Sequence, residues 1–106
     1  MKKRLPKKSA AVRTLEKLCG GPLTFGMALS AARRCEELSQ AVLAERLGVS
    51  KSHLCDVEKG RKTVSPVRAV AWARVLGHSE NLFLRLALQD AFDAAGLKYR
   101  VSIEAA

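Results

Sequence analysis

Residues 39–58 read SQAVLAERLGVSKSHLCDVE and decide the fold that we expect for this chain. Each half of the stretch opens on a serine, Ser39 or Ser50, and serine is among the preferred N-cap residues of helices. Gly48 lies between the halves, where a glycine ends a helix by adopting a positive φ without a Cβ penalty. The pattern therefore predicts two short helices joined by a tight turn.

The apolar residues of this stretch predict how the two helices are held. Ala44 is small, as a close approach between the helices requires. Larger apolar side chains fill the seam between the two helices and their supports: Val42, Leu43, Leu47, Val49, Leu54 and Val57. This packing leaves the second helix raised from the surface, where it fits a groove about 12 Å wide, such as the DNA major groove.

Helical spacing of apolar residues continues on both sides of this stretch. Alanine supplies much of the 48% hydrophobic composition and aromatic residues supply only 5%, which favours closely packed short helices over a sheet. Ser65 followed by Pro66 is a typical helix start. The expected fold class is all-α with five to six helices, over residues 9–19, 24–37, 40–47, 50–58, 65–76 and 79–95.

Residues 97–104 change to a two-residue period, which is typical of a β-strand. Leu97, Tyr99, Val101 and Ile103 alternate with polar residues and would share one face. A single strand leaves backbone N–H and C=O groups unpaired, so this tail needs the same strand of a second subunit or the sheet of another protein. A frayed C-terminal tail is the other interpretation.

Basic residues give the chain a net charge of +9, and they are unevenly distributed. Residues 1–20 carry seven basic and one acidic residue (+6), residues 21–76 nine and five (+4), and residues 77–106 three and four (−1). An excess of basic residues attracts phosphate. We therefore expect the first two segments to face a polyanion, and the last segment to face a partner other than nucleic acid.

No constellation typical of an enzyme stands out in the sequence, whether a Ser-His-Asp arrangement, a carboxylate pair or a glycine-rich phosphate loop. Cys19, Cys35 and Cys55 lack the Cys-x-x-Cys spacing of a zinc site. We expect a protein that is not an enzyme and that needs neither a cofactor nor a metal.

The hydropathy pattern argues against a membrane protein. No apolar run reaches the roughly 18 residues of a membrane span. The N-terminus begins with basic residues, as a signal peptide does, but Arg13, Glu16 and Lys17 interrupt the apolar stretch that should follow. We therefore expect a cytoplasmic protein with no membrane partner.

Residues 38–66, LSQAVLAERLGVSKSHLCDVEKGRKTVSP, resemble the helix-turn-helix family of phage repressors, the Xre and Cro type. The resemblance extends over residues 25–76, and its apolar, small, capping and glycine positions agree together. It implies a phage-repressor-like fold in three parts. These are a basic arm with a short helix over 1–23, a DNA-binding domain over 24–77, and a C-terminal helix with a strand-like tail for dimerisation or partner binding over 78–106.

The resemblance also implies roles for individual residues. Lys51 is suited to donate to guanine and Asp56 to accept from cytosine. His53 either faces a phosphate or is an ordinary exposed histidine, and Glu58 is usually structural in this family. The implied base-reading residues are Ser50, Lys51, Ser52 and Asp56. The implied phosphate-binding residues are Gln40, His53, Lys59, Arg61 and Lys62.

As a whole, the resemblance implies a regulator of transcription. An autoregulatory repressor is the favoured interpretation, and HigA-like antitoxins, which also bind a small basic toxin, share the same shape. We expect a homodimer on a pseudo-palindromic operator, because one recognition helix buries too little surface for tight specific binding. A helical protein-interaction module that has lost specific DNA binding is the alternative. The expected dimer or partner interface consists of Leu86, Phe92, Tyr99, Val101 and Ile103.

Overall fold

The structure is a computed structural model that describes residues 23–106. The basic arm and the short helix predicted for residues 1–8 and 9–19 lie outside the described residues.

Five helices form the described part of the chain, which confirms the all-α class. Their ends agree with the predicted ends to within two residues, because local signals set them. The helices are α1 (Phe25–Cys35), α2 (Gln40–Leu47), α3 (Lys51–Glu58), α4 (Pro66–Leu76) and α5 (Glu80–Ala94).

A hydroxyl side chain caps the start of every described helix by accepting a hydrogen bond from a backbone N–H of the first turn. Ser39 and Ser50 do so for α2 and α3 at 3.1 and 3.0 Å. Gly48 and Gly77 end α2 and α4 in the left-handed conformation, with φ of 71° and 68°. The hydroxyl N-caps and the left-handed glycines therefore divide the chain into short helices.

The core joins an aromatic cluster to an aliphatic seam. The ring centroid of Phe25 in α1 lies 5.5 Å from that of Phe83 in α5, edge to face, and 6.3 Å from that of Trp72 in α4. This cluster draws the first and last described helices together, and α5 packs along α4. The largest fully buried aliphatic side chains, which fill the seam among α1, α2 and α3, are Leu29, Leu43, Leu54 and Val57.

Gly26 marks the closest approach between α1 and α3. A Cβ atom at this position would lie 2.4 Å from the carbonyl oxygen of Val57 and 2.6 Å from that of Glu58. Only a glycine leaves room for α3 to end against α1 at this distance. The first helix therefore supports the third through direct backbone packing.

The C-terminal tail does not form the predicted strand, since residues 97–106 have no regular secondary structure. A strand needs a neighbouring strand to pair its backbone groups, and the described residues offer only a helix. Gln89 of α5 takes that place. Its amide nitrogen donates to the Tyr99 carbonyl at 2.8 Å, and its oxygen accepts from the Val101 N–H at 2.8 Å. Pairing with a second subunit or another protein stays a prediction.

Asp90 of α5 reaches back to the first turn of α1. Its Oδ2 accepts the Phe25 N–H at 3.0 Å, although 65 positions separate the two residues in the chain. Partial burial raises the pKa of Asp90. The hydrogen bond from the Phe25 N–H lowers it, and the negative charge of Asp93 raises it. This contact attaches α5 to the start of the fold.

None of the described helices combines the length and the apolar character that crossing a bilayer needs.

An open apolar groove of about 350 Å³ lies between α4 and α5. Val67, which is 82% exposed, lies at its edge. The other residues that line it are Pro66, Val70, Ala71, Arg74 and Leu84.

Candidate nucleic-acid interface

The turn between α2 and α3 has the geometry that the sequence predicts. The Gly48 N–H donates to the Glu45 carbonyl at 3.1 Å, and the Val49 N–H donates to the Ala44 carbonyl at 3.0 Å. These bonds close the end of α2 around the left-handed Gly48. The chain then turns sharply enough for Ser50 to begin α3 at once.

The first turn of α3 presents polar side chains to solvent. Ser50, Lys51 and Ser52 are all exposed, while Leu54 and Val57 face the core. The Ser50 hydroxyl oxygen accepts the His53 N–H, which leaves its O–H and one lone pair for a contact to DNA. The three exposed residues predicted to read bases therefore lie together at the free N-terminus of one helix.

A half-buried ion pair anchors the other end of α3. Arg33 of α1 forms a bidentate pair with Glu58, from Nε to Oε2 at 2.8 Å and from Nη2 to Oε1 at 3.1 Å. The Glu58 side chain is only 5% exposed. Arg33 also donates to the Leu38 carbonyl at 2.9 Å, which ties the loop before α2 to the same guanidinium. Glu58 is thus a structural residue, as the resemblance implied.

The hydrogen bond with Glu58 is the main cause of a raised Arg33 pKa. Desolvation lowers that pKa and the negative charge of Glu58 raises it further. Arg33 consequently stays charged, and the pair fixes the distance between α1 and α3.

Gln40 joins the same network from the first turn of α2. Its Nε2 donates to Glu58 Oε1 at 3.0 Å, which fixes the orientation of the amide. The second amide hydrogen and the carbonyl oxygen are not used by this bond, so a phosphate contact from Gln40 stays a prediction. The network therefore connects α1, α2 and α3 through three side chains.

The loop after α3 folds back on Asp56. The Asp56 backbone carbonyl accepts the N–H groups of Arg61 and Lys62 at 2.8 and 3.3 Å. Its carboxylate lies 3.2 Å from Arg61 Nη1 and 3.7 Å from Lys62 Nζ. Asp56 is therefore paired with two of the cations predicted to hold phosphates, while Lys59 is exposed beside them.

His53 is not placed as a phosphate ligand through its Nε2 atom. That nitrogen is buried and has no hydrogen-bond partner among the described residues. The ring lies edge-on to Trp72, with centroids 6.5 Å apart. A phosphate contact through Nε2 would need this nitrogen to become accessible, so phosphate binding by His53 stays a prediction. The His53 side chain is half-buried, so the interpretation as an ordinary exposed histidine is wrong.

The residues of the expected dimer or partner interface differ in accessibility. Leu86 is only 2% exposed and belongs to the core, so its assignment to an interface is wrong. Phe92, Val101 and Ile103 are half-buried, and Tyr99 is 66% exposed. The tail, and not the middle of α5, is the accessible part of the expected interface.

Sequence reasoning missed three residues that hold the site in place: Gly26, Arg33 and Asp90. Gly26 carried a usable signal, since a glycine inside a predicted helix often marks a close approach. Arg33 and Asp90 carried none, because their partners lie 25 and 65 positions away along the chain.

Comparison with known proteins agrees with this geometry. A family model described as a helix-turn-helix domain matches residues 24–86, which is more than half of the chain. Neither the comparison with curated proteins nor the comparison with solved structures gave a match. The match includes the two motif helices, the turn between them, and the supporting helices α1 and α4 with the first half of α5. This chain belongs to the helix-turn-helix domain family.

Proposed function

We propose that this protein is a sequence-specific regulator of transcription that reads the DNA major groove with the first turn of α3. The observation that carries the proposal is the exposure of Ser50, Lys51 and Ser52 at the N-terminus of a helix whose far end is anchored by the Arg33–Glu58 pair. A rigid helix with free polar side chains at its start fits direct base readout.

Phosphate contacts on either side would fix the register of α3 on the duplex. Gln40 lies at the N-terminus of α2, where backbone N–H groups favour an anion. Lys59, Arg61 and Lys62 are exposed in the loop that follows α3. Contacts of this kind supply affinity that falls with salt and does not depend on sequence.

The finer role that we propose is an autoregulatory repressor that acts as a homodimer on a pseudo-palindromic operator. Two-fold symmetry doubles the base readout, with half-sites about one helical turn apart. An antitoxin is the second candidate. It is favoured by the net charge of −1 over residues 77–106 and by the exposed Leu97 and Tyr99, which suit a small basic protein partner.

Selection from a random duplex library at roughly physiological salt tests the proposal. Wild type should enrich a palindrome, and the double variant Lys51→Ala/Ser52→Ala should lose the enrichment, because each good base contact contributes about 1–3 kcal/mol of discrimination. Arg74→Ala is a matched control. It also removes one positive charge, but from an exposed pair between Arg74 of α4 and Glu80 of α5 that contributes little to stability.

Weak, salt-sensitive retention without an enriched sequence would contradict the proposal and favour a protein-interaction module. Circular dichroism of each variant would show whether a loss of enrichment comes from unfolding. For the antitoxin candidate, the test is co-purification with the product of a neighbouring gene that encodes a small basic protein. The absence of such a gene, or of a complex, would count against it.

A further inference from the structure

The C-terminal tail is attached to α5 along one edge of its backbone. Gln89 bonds both the Tyr99 carbonyl and the Val101 N–H, and Asn81 Nδ2 donates to the Ile103 carbonyl at 3.4 Å. All three bonded positions are odd-numbered. In a parallel sheet, one residue of the neighbouring strand bonds the C=O of one residue and the N–H of the residue two positions later. The Gln89 side-chain amide takes the place of that neighbouring residue. The tail is therefore extended around residue 100.

Within residues 23–106, the opposite edge of the tail is open. In an extended chain, the N–H and C=O groups of alternate residues point to opposite edges. The backbone groups of Lys98, Arg100 and Ser102 make no hydrogen bond to any other described residue. An open row of this kind is a template for another strand.

We propose that the open edge pairs with the same segment of a second copy of this chain, antiparallel and centred on Val101. This inference deepens the proposed homodimer and rests on that part of the proposed function. A two-fold axis at Val101 makes the even-numbered residues exchange backbone hydrogen bonds. These are the residues whose backbone groups have no partner among the described residues. The cross-strand pairs would be Lys98 with Glu104, Tyr99 with Ile103, Arg100 with Ser102, and Val101 with itself.

Charge complementarity supports a second copy as the occupant. In this register Lys98 of each chain lies opposite Glu104 of the other, so symmetry creates two opposite-charge pairs on one face. The other face brings Tyr99 against Ile103 and the two Val101 side chains against each other. Aromatic and β-branched pairs of this kind stabilise antiparallel strands.

Neighbouring registers fit the side chains less well. An axis at Arg100 would place two arginines directly opposite each other, which is destabilising. An axis at Ser102 would pair Arg100 with Glu104 but leave Tyr99 opposite the small Ala105. The register centred on Val101 satisfies both faces.

Charge reversal in the full-length protein tests the pairing without DNA. Lys98→Glu and Glu104→Lys should each weaken the dimer about tenfold or more, because each replaces two attractive pairs by two repulsive ones. The double variant Lys98→Glu/Glu104→Lys should restore the dimer. An equimolar mixture of the two single variants should form a heterodimer. Analytical ultracentrifugation measures all four states, with circular dichroism to check folding.

The register centred on Val101 would be overturned if the dimer were restored by the double variant Arg100→Glu/Glu104→Lys and not by Lys98→Glu/Glu104→Lys. A dimer that no reversal weakens would overturn tail pairing and direct attention to the apolar groove between α4 and α5. A wild type that is monomeric at high concentration would overturn it as well.

Cross-linking gives an independent measure of the register. With Cys19, Cys35 and Cys55 replaced by serine, Val101→Cys should form a disulfide-linked dimer under mild oxidation. The Cα atoms of a non-hydrogen-bonded antiparallel pair are about 4.5 Å apart, within the range of disulfides. Arg100→Cys is the matched control and should not cross-link, because it would lie opposite Ser102. Efficient linkage through Arg100→Cys alone would contradict the pairing.

The library selection described above separates this inference from the proposed function. If the charge reversals do not change dimerisation as expected but the wild type still enriches a palindrome, tail pairing alone is refuted. If they change dimerisation as expected but no duplex is enriched, DNA reading alone is refuted.

Discussion

Asp56 has two candidate roles, one implied by the resemblance and one indicated by its contacts in the structure. The resemblance implies that it reads a base, but its carboxylate, 28% exposed, pairs with Arg61 and Lys62 in the loop after α3. Exposed pairs of this kind contribute about 0–1 kcal/mol, so a DNA phosphate can readily replace the carboxylate as the partner of either cation. In the proposed complex, Asp56 would compete with DNA phosphate for these two side chains.

Asp56→Asn should therefore tighten binding to arbitrary duplex DNA, by roughly three- to tenfold at low salt, and should steepen the salt dependence. Fluorescence anisotropy with a duplex of unrelated sequence at several salt concentrations measures both effects. Glu45→Gln is the matched control, since it neutralises an exposed carboxylate on α2. An unchanged affinity for arbitrary DNA, together with an altered preference at one operator position, would instead make Asp56 a base reader.

Contacts between residues that are close in the chain can be predicted from the sequence. Ser39, Gly48 and Ser50 act on backbone groups within a few positions, so their roles follow from the sequence. The bidentate contact between Arg33 and Glu58 depends on how α1 crosses α3. The resemblance implied a structural role for Glu58, but nothing in the sequence identified Arg33 as its partner. The burial of His53 Nε2 against Trp72 is invisible for the same reason.

The crossing of α1 and α3 depends on the absence of a side chain at Gly26. In an isolated helix, replacing glycine by alanine stabilises by about 1 kcal/mol. Here the added methyl would overlap the backbone carbonyls of Val57 and Glu58, which cannot move without shifting α3. The steric conflict outweighs the gain in helix propensity.

Gly26→Ala should lower the free energy of unfolding by about 1–3 kcal/mol, which is the usual cost of overpacking a core. Urea unfolding followed by circular dichroism measures the change. Ser30→Ala, on the same helix, is the control and should change stability by less than about 0.5 kcal/mol. Stability of Gly26→Ala equal to or above that of wild type would show that α1 and α3 do not approach this closely.

The helices could be predicted as elements, and the tail could not. Helix boundaries depend on caps and stops that the sequence displays. Alternation over residues 97–104 is typical of a strand, but a strand exists only when a neighbour pairs with it. In the described part of one chain, that neighbour is the Gln89 side chain, which no periodicity reveals.

Across the whole molecule, Asp90 couples stability to pH. Burial is the main cause of the raised pKa of Asp90 in the folded state. At pH values between the ordinary pKa of about 3.9 and the folded pKa, the native protein therefore binds more protons than the unfolded chain. The contribution of Asp90 to stability is therefore fully present below the unfolded pKa. It is lost as the pH rises through the folded pKa.

Asp90→Asn should remove this part of the pH dependence and be at least as stable as wild type at pH 7, because the amide oxygen can still accept the Phe25 N–H. Asp90→Ala should be less stable by about 1 kcal/mol, since it loses the bond. Urea unfolding between pH 4 and pH 7 measures the difference from wild type. Glu36→Gln, at an exposed carboxylate, is the control. A constant difference between Asp90→Asn and wild type over this range would refute the coupling.

The bond from Phe25 to Asp90 also sets an order of events during synthesis. The ribosome makes α1 first, but the carboxylate that receives its first N–H is added 65 residues later. Until then, Phe25 also lacks the Phe83 ring as its edge-on neighbour. Since α1 supports α3 through Gly26 and Arg33, we expect α3 to become fixed in a nascent chain only after α5 has emerged. We therefore expect a chain truncated before α5 to hold α3 less firmly than the chain described here.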